Sequence, residues 1–485
     1  MLRPFFFALL CAATTSLSAA DRPPNIFIAM ADDWGWRHAG VYGDPVVRTP
    51  TFDRLAKEGV LFANAFVSSP SCTPSRGALL TGQYHWRLEE NANLWSTLQT
   101  KFRTYPEILR DAGYATGHSR KAWGPGRLEA GGRKEDPTGP LFRNFGEFLK
   151  QRPEGKPFCY WFGSSDPHRP YVAGTGVKSG LDLGKIRVPG CFPDHETIRS
   201  DIADYYFEVE RFDREVGEAL EQLKAAGELD KTIIVMTGDH GMPFPRGKSN
   251  LYDLGTHVPL VIRWPGQFPA GTVVEDFVST TDLAPTFLWT AGLQIPAEMT
   301  GRSLMAQLTP MQTGQKDPSR DHVIFGKERH VPSQERGNTA GYPGRAIRTR
   351  DFLYIRNFRP ELWPNGIADG KASEKGNAFA DCDDGPTKSF LVTHQHDPAI
   401  TPFFDLAFAK RPAEELYDLK SDPEQLVNVA DRPEFRTQRD RLWQQLESEL
   451  KASQDPRVIG GAEKFDAYPY LGGRTGDPPN RKKKS

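Results

Sequence analysis

Acidic side chains follow three predicted strands at the point where each strand ends. The three segments are Asp32-Asp33, Asp166-Pro167-His168 and Gly238-Asp239-His240-Gly241. Because α/β sheets place their ligands at the carboxyl ends of parallel strands, we expect these side chains to converge. Paired carboxylates are costly to hold together without a cation, and their oxygen atoms suit Ca²⁺ or Mg²⁺ better than zinc. Each segment alone could be a helix cap or a surface turn, but together they favour a metal site.

A cysteine stands close to a predicted helix start in the segment Ser71-Cys72-Thr73-Pro74-Ser75-Arg76-Gly77-Ala78-Leu79-Leu80-Thr81-Gly82. Pro74 suits the first turn of a helix, so Cys72 should lie just before the N-terminus, where backbone N–H groups and the helix dipole favour an anion. Arg76 lies on the same turn. A lone cysteine at a helix start is usually buried and inert, so this segment alone does not establish a function.

The pattern Cys-x-Pro-Ser-Arg followed by Leu-Thr-Gly resembles the signature of the formylglycine-dependent sulfatases, a branch of the alkaline-phosphatase-like superfamily. Other segments along nearly the whole chain also match this family. They are Asp32-Asp33, Asp166-Pro167-His168, Gly238-Asp239-His240-Gly241, and Lys248 ahead of Thr256-His257-Val258-Pro259. The residues around Met242-Pro243-Phe244-Pro245 are most similar to the heparan N-sulfatase (sulfamidase) branch. These residues flank the site, so they suggest kinship without deciding the substrate.

The resemblance implies a sulfatase that hydrolyses sulfate esters of a sulfated carbohydrate. In this family a maturation enzyme oxidises the signature cysteine, here Cys72, to formylglycine (3-oxoalanine), whose hydrated gem-diol supplies the attacking oxygen. Attack on sulfur gives a sulfate hemiacetal, and loss of sulfate regenerates the aldehyde. The resemblance also implies one Ca²⁺ ion, bound by Asp32, Asp33, Cys72, Asp239 and His240.

Sulfate gathers negative charge on its peripheral oxygens during transfer, so a sulfatase pocket needs fixed cations around it. By the resemblance, Arg76, Lys121 and Lys248 occupy those positions, and Arg76 also holds the hydrated aldehyde. His168 matches a histidine that contacts the sulfate and helps to protonate the leaving oxygen. With Cys72, these four residues are the predicted catalytic set.

One position departs from the family pattern, in Lys121-Ala122-Trp123-Gly124. Most relatives carry a histidine two places after this lysine, and that histidine deprotonates the hemiacetal. Trp123 cannot accept a proton. Three explanations stay open: another group such as His118 or His85 takes over, sulfate release is slow, or the local alignment is shifted.

Aromatic and basic residues near the predicted site suit a sulfated sugar. They are Trp36 to His38 after the metal pair, His85 to Glu90 after the signature, and Arg169. From these we predict His38, His85 and Arg169 as substrate contacts.

Short apolar runs alternate with amphipathic segments, which predicts an α/β fold with a large, mostly parallel sheet between helices. The predicted strands are 25–31, 158–163, 232–237 and 259–264, and the best helix spans 201–224. After about residue 315 the pattern changes to a smaller α+β subdomain. There an alternating run at 345–358 predicts one strand of an antiparallel sheet, and 435–451 predicts a late helix.

We divide the chain into a signal peptide (1–20), a catalytic domain (21–340), a C-terminal subdomain (341–465) and a disordered tail (466–485). Arg3, the apolar run 5–13 and Ser18-Ala19-Ala20 predict export to the periplasm or the extracellular space. We expect no membrane span. The loops 124–140 and 365–401 are long enough to face the substrate or to be mobile.

The composition is that of an ordinary globular protein, with 61 Lys plus Arg against 62 Asp plus Glu. The net charge of −1 gives no general attraction to nucleic acid or to an anionic membrane, so an anionic substrate must meet a local basic pocket. One disulfide among Cys159, Cys191 and Cys382 is possible, but its pairing cannot be read from spacing.

Three other functions compete with an O-sulfatase. The first is an N-sulfoglucosamine sulfohydrolase. The second is a phosphonate or phosphate monoester hydrolase of the same superfamily, which the lack of a second carboxylate cluster disfavours in its two-metal form. The third is a non-catalytic relative that binds sulfated glycans, and Trp123 alone supports it.

Overall fold

The computed structural model describes residues 23–309 and 316–473. The predicted signal peptide and the end of the predicted tail lie outside these ranges. Among the described residues, no helix combines the length and the apolar character needed to cross a membrane.

Seven strands form the large sheet: β1 (Asn25–Ala31), β2 (Val60–Phe66), β3 (Ala115–Ser119), β4 (Phe158–Gly163), β5 (Thr232–Gly238), β6 (Leu260–Arg263) and β7 (Thr272–Ser279). Their order is β3-β4-β1-β5-β6-β2-β7, and β6 runs antiparallel to both of its neighbours while the other pairings are parallel. The predicted mostly parallel sheet is confirmed. Strand β1 is central and buried along its whole length, which explains its continuous apolar run.

The α-helices are α1 (Pro50–Glu58), α2 (Cys72–Thr81), α3 (Tyr105–Asp111), α4 (Phe145–Gln151), α5 (Thr175–Lys178), α6 (Glu196–Ala225), α7 (Asp253–Thr256), α8 (Leu283–Thr290), α9 (Met305–Leu308), α10 (Pro386–Thr393), α11 (Thr401–Phe408), α12 (Arg436–Ala452), α13 (Pro456–Ile459) and α14 (Glu463–Ala467). The apolar stripe of α6 packs in one core cluster with Phe27 of β1. Ile26 and Ile28 belong to the cluster on the other face, with α3 and α8. Because successive side chains of β1 point to opposite faces of the sheet, β1 contributes to the apolar core beneath both layers of helices.

Helix α6 begins earlier than the predicted helix 201–224. The side chain of His195 accepts a hydrogen bond from the Thr197 N–H group and caps the helix there. The apolar stripe starts later than this cap, so periodicity alone underestimated the helix length.

Four antiparallel strands form the second sheet: β8 (His322–Lys327), β9 (Gly344–Thr349), β10 (Phe352–Asn357) and β11 (Glu414–Asp418), in the order β11-β10-β9-β8. The antiparallel sheet is confirmed, but the prediction of a single strand at 345–358 was wrong. The chain turns at Arg350-Asp351, so the run is a hairpin of β9 and β10. Alternation continues across so short a turn and cannot reveal the reversal. Strand β8 also precedes the predicted subdomain boundary at 341.

The chain continues to pack beyond residue 465, where the sequence suggested a disordered tail. The N–H group of Leu471 donates to the Trp95 carbonyl (2.8 Å). The Arg329 guanidinium donates to the Tyr468 carbonyl, also at 2.8 Å. Residues 466–473 therefore belong to the packed structure, because their aromatic side chains and backbone find partners far away in sequence.

A buried ion-pair network ties the second sheet to the C-terminal helices. The Arg345 guanidinium of β9 donates to Glu328 at 2.7 Å and to Asp455 at 3.1 Å, and all three side chains are buried. Removing one partner from a buried pair leaves an uncompensated charge.

We predict that Asp455→Ala lowers the free energy of unfolding by about 3 kcal/mol, because part of the buried Arg345 charge loses its partner. Urea-induced unfolding measures the change. The control is Glu447→Ala, which removes the exposed pair with Lys451 and should cost no more than about 0.5 kcal/mol. Equal effects of the two substitutions would contradict the assigned role of the buried network.

Candidate active site

The ends of three adjacent parallel strands bring the predicted metal ligands together. Strands β4, β1 and β5 are neighbours, and Ala31 at the end of β1 pairs with Gly238 at the end of β5. The residues that follow are therefore side by side, and the Asp33 N–H group donates to Asp239 Oδ1 at 2.9 Å. The Asp32 N–H group donates to the Asp166 carbonyl after β4, also at 2.9 Å. The expected convergence at this edge of the sheet is present.

The five predicted metal ligands form one buried cluster. Cys72 Sγ lies 3.3 Å from His240 Nε2 and 3.8 Å from Asp32 Oδ1. Two sets of side chains, Asp33-Cys72-His240 and Asp32-Cys72-Asp239, each place their ligand atoms within 4.8 Å of one another. This donor set is rich in carboxylate oxygen, as a hard divalent cation requires.

One atom of this cluster lacks the partner that a cation would supply. Asp33 Oδ1 is buried and has no hydrogen-bond partner. His240 Nδ1 lies 3.1 Å from the Gly241 carbonyl, which can only accept, so Nδ1 carries the proton and a neutral ring has its lone pair on Nε2. That Nε2 atom is 3.1 Å from Asp33 Oδ1. An unpartnered carboxylate oxygen in a buried site is unfavourable without a cation, so these residues fit a metal ion.

Each buried carboxylate has a cationic partner. Lys121 Nζ lies 2.7 and 2.6 Å from the Asp32 oxygens, and Lys248 Nζ lies 3.0 Å from Asp33 Oδ2. Burial alone would lower the pKa of Lys248, but the carboxylates, led by Asp33, raise it well above its ordinary value. Both lysines therefore stay charged, and both line the cavity next to Cys72.

Arg76 occupies a deeper position than the two lysines. Its guanidinium is fully buried and donates to Asp239 Oδ2 at 2.8 Å and to the Ala122 carbonyl at 2.7 Å. These bonds hold Asp239 in place. Although burial alone would raise the pKa of Asp239, the Arg76 charge holds it well below its ordinary value.

Cys72 is the first residue of α2 and is almost completely buried. Burial raises the pKa of the Cys72 thiol far above its ordinary value, although Lys121 and Lys248 act in the opposite direction. A thiol that stays protonated at neutral pH is a poor nucleophile. The encoded side chain is therefore unsuited to attack a substrate in this environment.

His168 and Arg169 both line the cavity but differ in what they can offer a ligand. His168 is about one-third exposed, and its Nε2 lies 3.9 Å from Asp33 Oδ2. The Arg169 guanidinium is buried and donates to both oxygens of Asp201 on α6 at 2.8 Å. Arg169 therefore anchors the cavity wall to α6, and its contact with substrate stays a prediction.

His38 and His85 lie away from Cys72. His38 is buried, its Nδ1 is 3.0 Å from the Tyr205 hydroxyl, and it lines a separate cavity of about 500 Å³ with Trp36 and Arg37. His85 is buried with its Nδ1 2.9 Å from Ser68 Oγ. Closeness in sequence to Asp33 or Cys72 does not place them at the cavity, because the chain turns into the core after each site segment.

Position 123 supplies no proton acceptor to the cavity. Trp123 is buried in the core, and its indole N–H group donates to Asn91 Oδ1 at 2.9 Å. His118 is also buried, with Nδ1 3.0 Å from the Gly139 carbonyl, and neither it nor His85 is among the described residues that line the cavity. His330 does line it, and its Nδ1 is 2.8 Å from the hydroxyl of Ser71, the neighbour of Cys72.

Four of the other residues that line this cavity of about 640 Å³ are chemically important: Trp95, His330, Asp383 and Tyr470. Asp383 accepts a hydrogen bond from Lys248 at 2.9 Å. Sequence reasoning missed all four, although the long segment 365–401, which contains Asp383, was predicted to face the substrate or be mobile. No local motif marks them, because they reach the site only through the tertiary fold.

Comparison with known proteins assigns most of the chain to one family. The family described as Sulfatase matches residues 24–293, and the family described as N-sulphoglucosamine sulphohydrolase, C-terminal, matches residues 238–359. N-sulphoglucosamine sulphohydrolase of Homo sapiens is 30% identical over 90% of this chain and 92% of its own length. An ulvan-active sulfatase of Formosa agariphila is 28% identical over 90% of this chain and 82% of its own length.

Solved structures share the fold. One, described as a complex with its substrate D-glucosamine-2-N,6-O-disulfate, has a TM-score of 0.64 at 20% identity and covers 90% of this chain and 100% of its own. A phosphonate monoester hydrolase of Agrobacterium radiobacter also has a TM-score of 0.64, at 19% identity, and covers 90% and 97% of the two chains. The predicted alkaline-phosphatase-like fold is confirmed.

We predict that Cys72 of the unconverted, calcium-free native protein resists iodoacetamide at pH 7.5, because its raised pKa keeps the thiol protonated. In urea its pKa returns to about 8.5 and labelling becomes fast. Peptide mass spectrometry measures labelling at each position. The free, buried Cys159, Cys191 and Cys382 serve as internal controls, since burial also raises their pKa values to about 12. Rapid native labelling of Cys72 would show that its thiol is ionised.

Proposed function

This chain belongs to the sulfatase family and is a sulfuric ester hydrolase, and we propose that its substrates are sulfated carbohydrates. The observation that carries the proposal is the buried cluster at Cys72. There a cysteine at a helix start adjoins three carboxylates suited to a metal ion and two charged lysines that line the cavity. Such fixed cations suit a group that gathers negative charge on its oxygens.

The reacting group in this proposal is Cys72 after oxidation to formylglycine by a maturation enzyme. Formylglycine supplies, as a hydrated aldehyde, the attacking oxygen that a thiol cannot. The burial of Cys72 and its raised thiol pKa support this, since the unmodified side chain is a poor nucleophile. Export, proposed from the first twenty residues, fits an extracellular polysaccharide substrate.

The metal in this proposal is one Ca²⁺ ion held by Asp32, Asp33, Asp239 and His240 with the oxidised Cys72. When bound, the ion supplies positive charge beside the reacting oxygen. The orphaned Asp33 Oδ1 and the facing His240 Nε2 support a cation here. Arg76, which lies behind the ligands, holds Asp239 in its binding orientation.

The substrate sulfate is expected to meet the charged ends of Lys121 and Lys248 on the cavity wall. His168 stands on the same wall and is partly exposed, so it can donate a proton to the leaving oxygen. Asp383 also pairs with Lys248, so the lysine is held by two carboxylates.

An N-sulfated sugar is the second candidate substrate. The match of residues 238–359 to the N-sulphoglucosamine sulphohydrolase family supports it. A two-metal phosphatase is less well supported. Apart from the two sets that contain Cys72, the described residues offer one further set that could hold a second metal ion, Asp33-His168-Asp383. Lys248 Nζ lies 3.0 Å from Asp33 and 2.9 Å from Asp383, so it occupies the place of a second cation.

We predict that the converted protein releases inorganic sulfate from at least one member of a panel of O-sulfated and N-sulfated glycosaminoglycan and ulvan oligosaccharides. Conversion of Cys72 is first verified by peptide mass, and sulfate is measured by ion chromatography. Cys72→Ala should abolish release, because it removes the reacting group, while the off-site control Cys159→Ala should retain it. Release from N-sulfated members alone would select the sulfamidase. No release from any member by fully converted, calcium-loaded protein contradicts the proposal, and cleavage of an added phosphonate monoester would then favour the alternative hydrolase.

We predict that Ca²⁺ stabilises the protein by about 2.7 kcal/mol when present at one hundred times its dissociation constant, because the ion binds the folded state. Thermal unfolding in calcium and in chelator measures the difference. Asp33→Asn should lose most of this gain, whereas the exposed control Asp230→Asn should retain it. An equal gain in both variants would place calcium elsewhere.

A further inference from the structure

One wall of the cavity above Cys72 is aromatic. Trp95 and Tyr470 line the cavity and are partly buried, and they pack against the small apolar cluster that contains Cys72, Leu94 and Val331. In sequence the two rings lie on opposite ends of the chain. The wall therefore exists only because the last described segment returns to the catalytic domain.

Contacts from distant segments hold both rings. The Trp95 backbone is left-handed (φ 53°), and its carbonyl accepts the Leu471 N–H group at 2.8 Å. A non-glycine residue in this conformation is uncommon and needs support from its surroundings. Lys375 Nζ donates to the Tyr470 hydroxyl at 3.2 Å and lies 5.0 Å from the centre of its ring.

Gly472 allows the C-terminal segment to lie against both rings. A Cβ atom at this position would be 2.7 Å from Tyr470 Cζ and 2.8 Å from Trp95 Cγ, closer than real Cβ contacts allow. Any larger residue at 472 would therefore displace at least one ring.

Another part of the cavity lining is polar. Arg211 forms an ion pair with Asp166 at 2.6 Å, and both line the cavity together with Ser165 and Glu208. A cavity lined by both aromatic and polar side chains matches a sugar ring, whose C–H faces pack on aromatic rings while its hydroxyl groups bond to polar side chains. At about 640 Å³ the cavity also exceeds the needs of one sulfate group and is within the usual size of a small-ligand site.

We propose that Trp95 and Tyr470 form a carbohydrate subsite that binds the sugar residue next to the sulfated one. The inference rests on the proposed function, because the sulfated residue is taken to lie at the Cys72 end of the cavity. The enzyme then prefers sulfated oligosaccharides to the corresponding sulfated monosaccharide, and the C-terminal segment 468–473 takes part in this selection.

The test compares heparan and ulvan tetrasaccharides with their own sulfated terminal monosaccharides, using calcium-loaded, fully converted protein. The readout is the ratio of kcat/KM for tetrasaccharide to kcat/KM for monosaccharide. We expect this ratio to fall about tenfold in Trp95→Ala and in Tyr470→Ala, which corresponds to about 1.4 kcal/mol. Gly472→Ala keeps both rings but moves them, and should lower the ratio as well. The matched control is Trp289→Ala, which removes an exposed tryptophan on α8 and should keep the wild-type ratio.

An unchanged ratio in Trp95→Ala and Tyr470→Ala would overturn the subsite, as would an equal loss on both substrates, which indicates a general structural defect. Failure of the proposed function is a separate outcome, in which wild type releases no sulfate from any substrate. In that case the subsite is tested without catalysis, by calorimetric measurement of the binding of desulfated tetrasaccharides to Cys72→Ala protein. Binding that Trp95→Ala weakens about tenfold supports the subsite, and absent or unaltered binding refutes it.

Discussion

The structure depends on keeping three carboxylates, Asp32, Asp33 and Asp239, together in a buried site. Placing them there is costly unless opposite charges compensate. Lys121 contacts Asp32, Lys248 contacts Asp33, and Arg76 contacts both Asp239 and Asp32. The parallel pairing of β1 with β5 brings the carboxylates together, and the N-terminus of α2 adds Cys72. The same compensating lysines line the cavity, which makes an anion the natural ligand.

The second sheet and the C-terminal segments complete the site from above. His330 follows shortly after β8, Asp383 precedes α10, and Tyr470 lies beyond α14. Asp383 shares Lys248 with Asp33, so the C-terminal part of the chain contributes to the charge balance of the catalytic edge. The buried network around Arg345 ties this sheet to the start of α13, and Tyr470 follows α14 in the chain.

Local patterns predicted the elements that have a local cause. Strands 25–31 and 158–163 were predicted with their observed bounds, because each is a largely apolar run preceded by a proline and followed by a polar residue. The β9–β10 hairpin was not predicted, because the alternation of apolar and polar residues continues through its two-residue turn. His38 and His85 were predicted as substrate contacts because aromatic and basic residues follow the site segments. His38 instead lines a separate cavity and His85 is buried beside Ser68, and burial lowers the pKa of both imidazoles.

By itself, the sequence determined the family, the fold class and the segments that carry reactive groups, because the signature around Cys72 and the acidic strand ends are short-range patterns. Only the tertiary structure decided that Trp123 is a core residue, that Arg169 is engaged by Asp201, and that Trp95, His330, Asp383 and Tyr470 meet at one cavity. The physical reason is distance along the chain. Contacts between residues tens to hundreds of positions apart arise from packing of whole layers, and no local spacing records them.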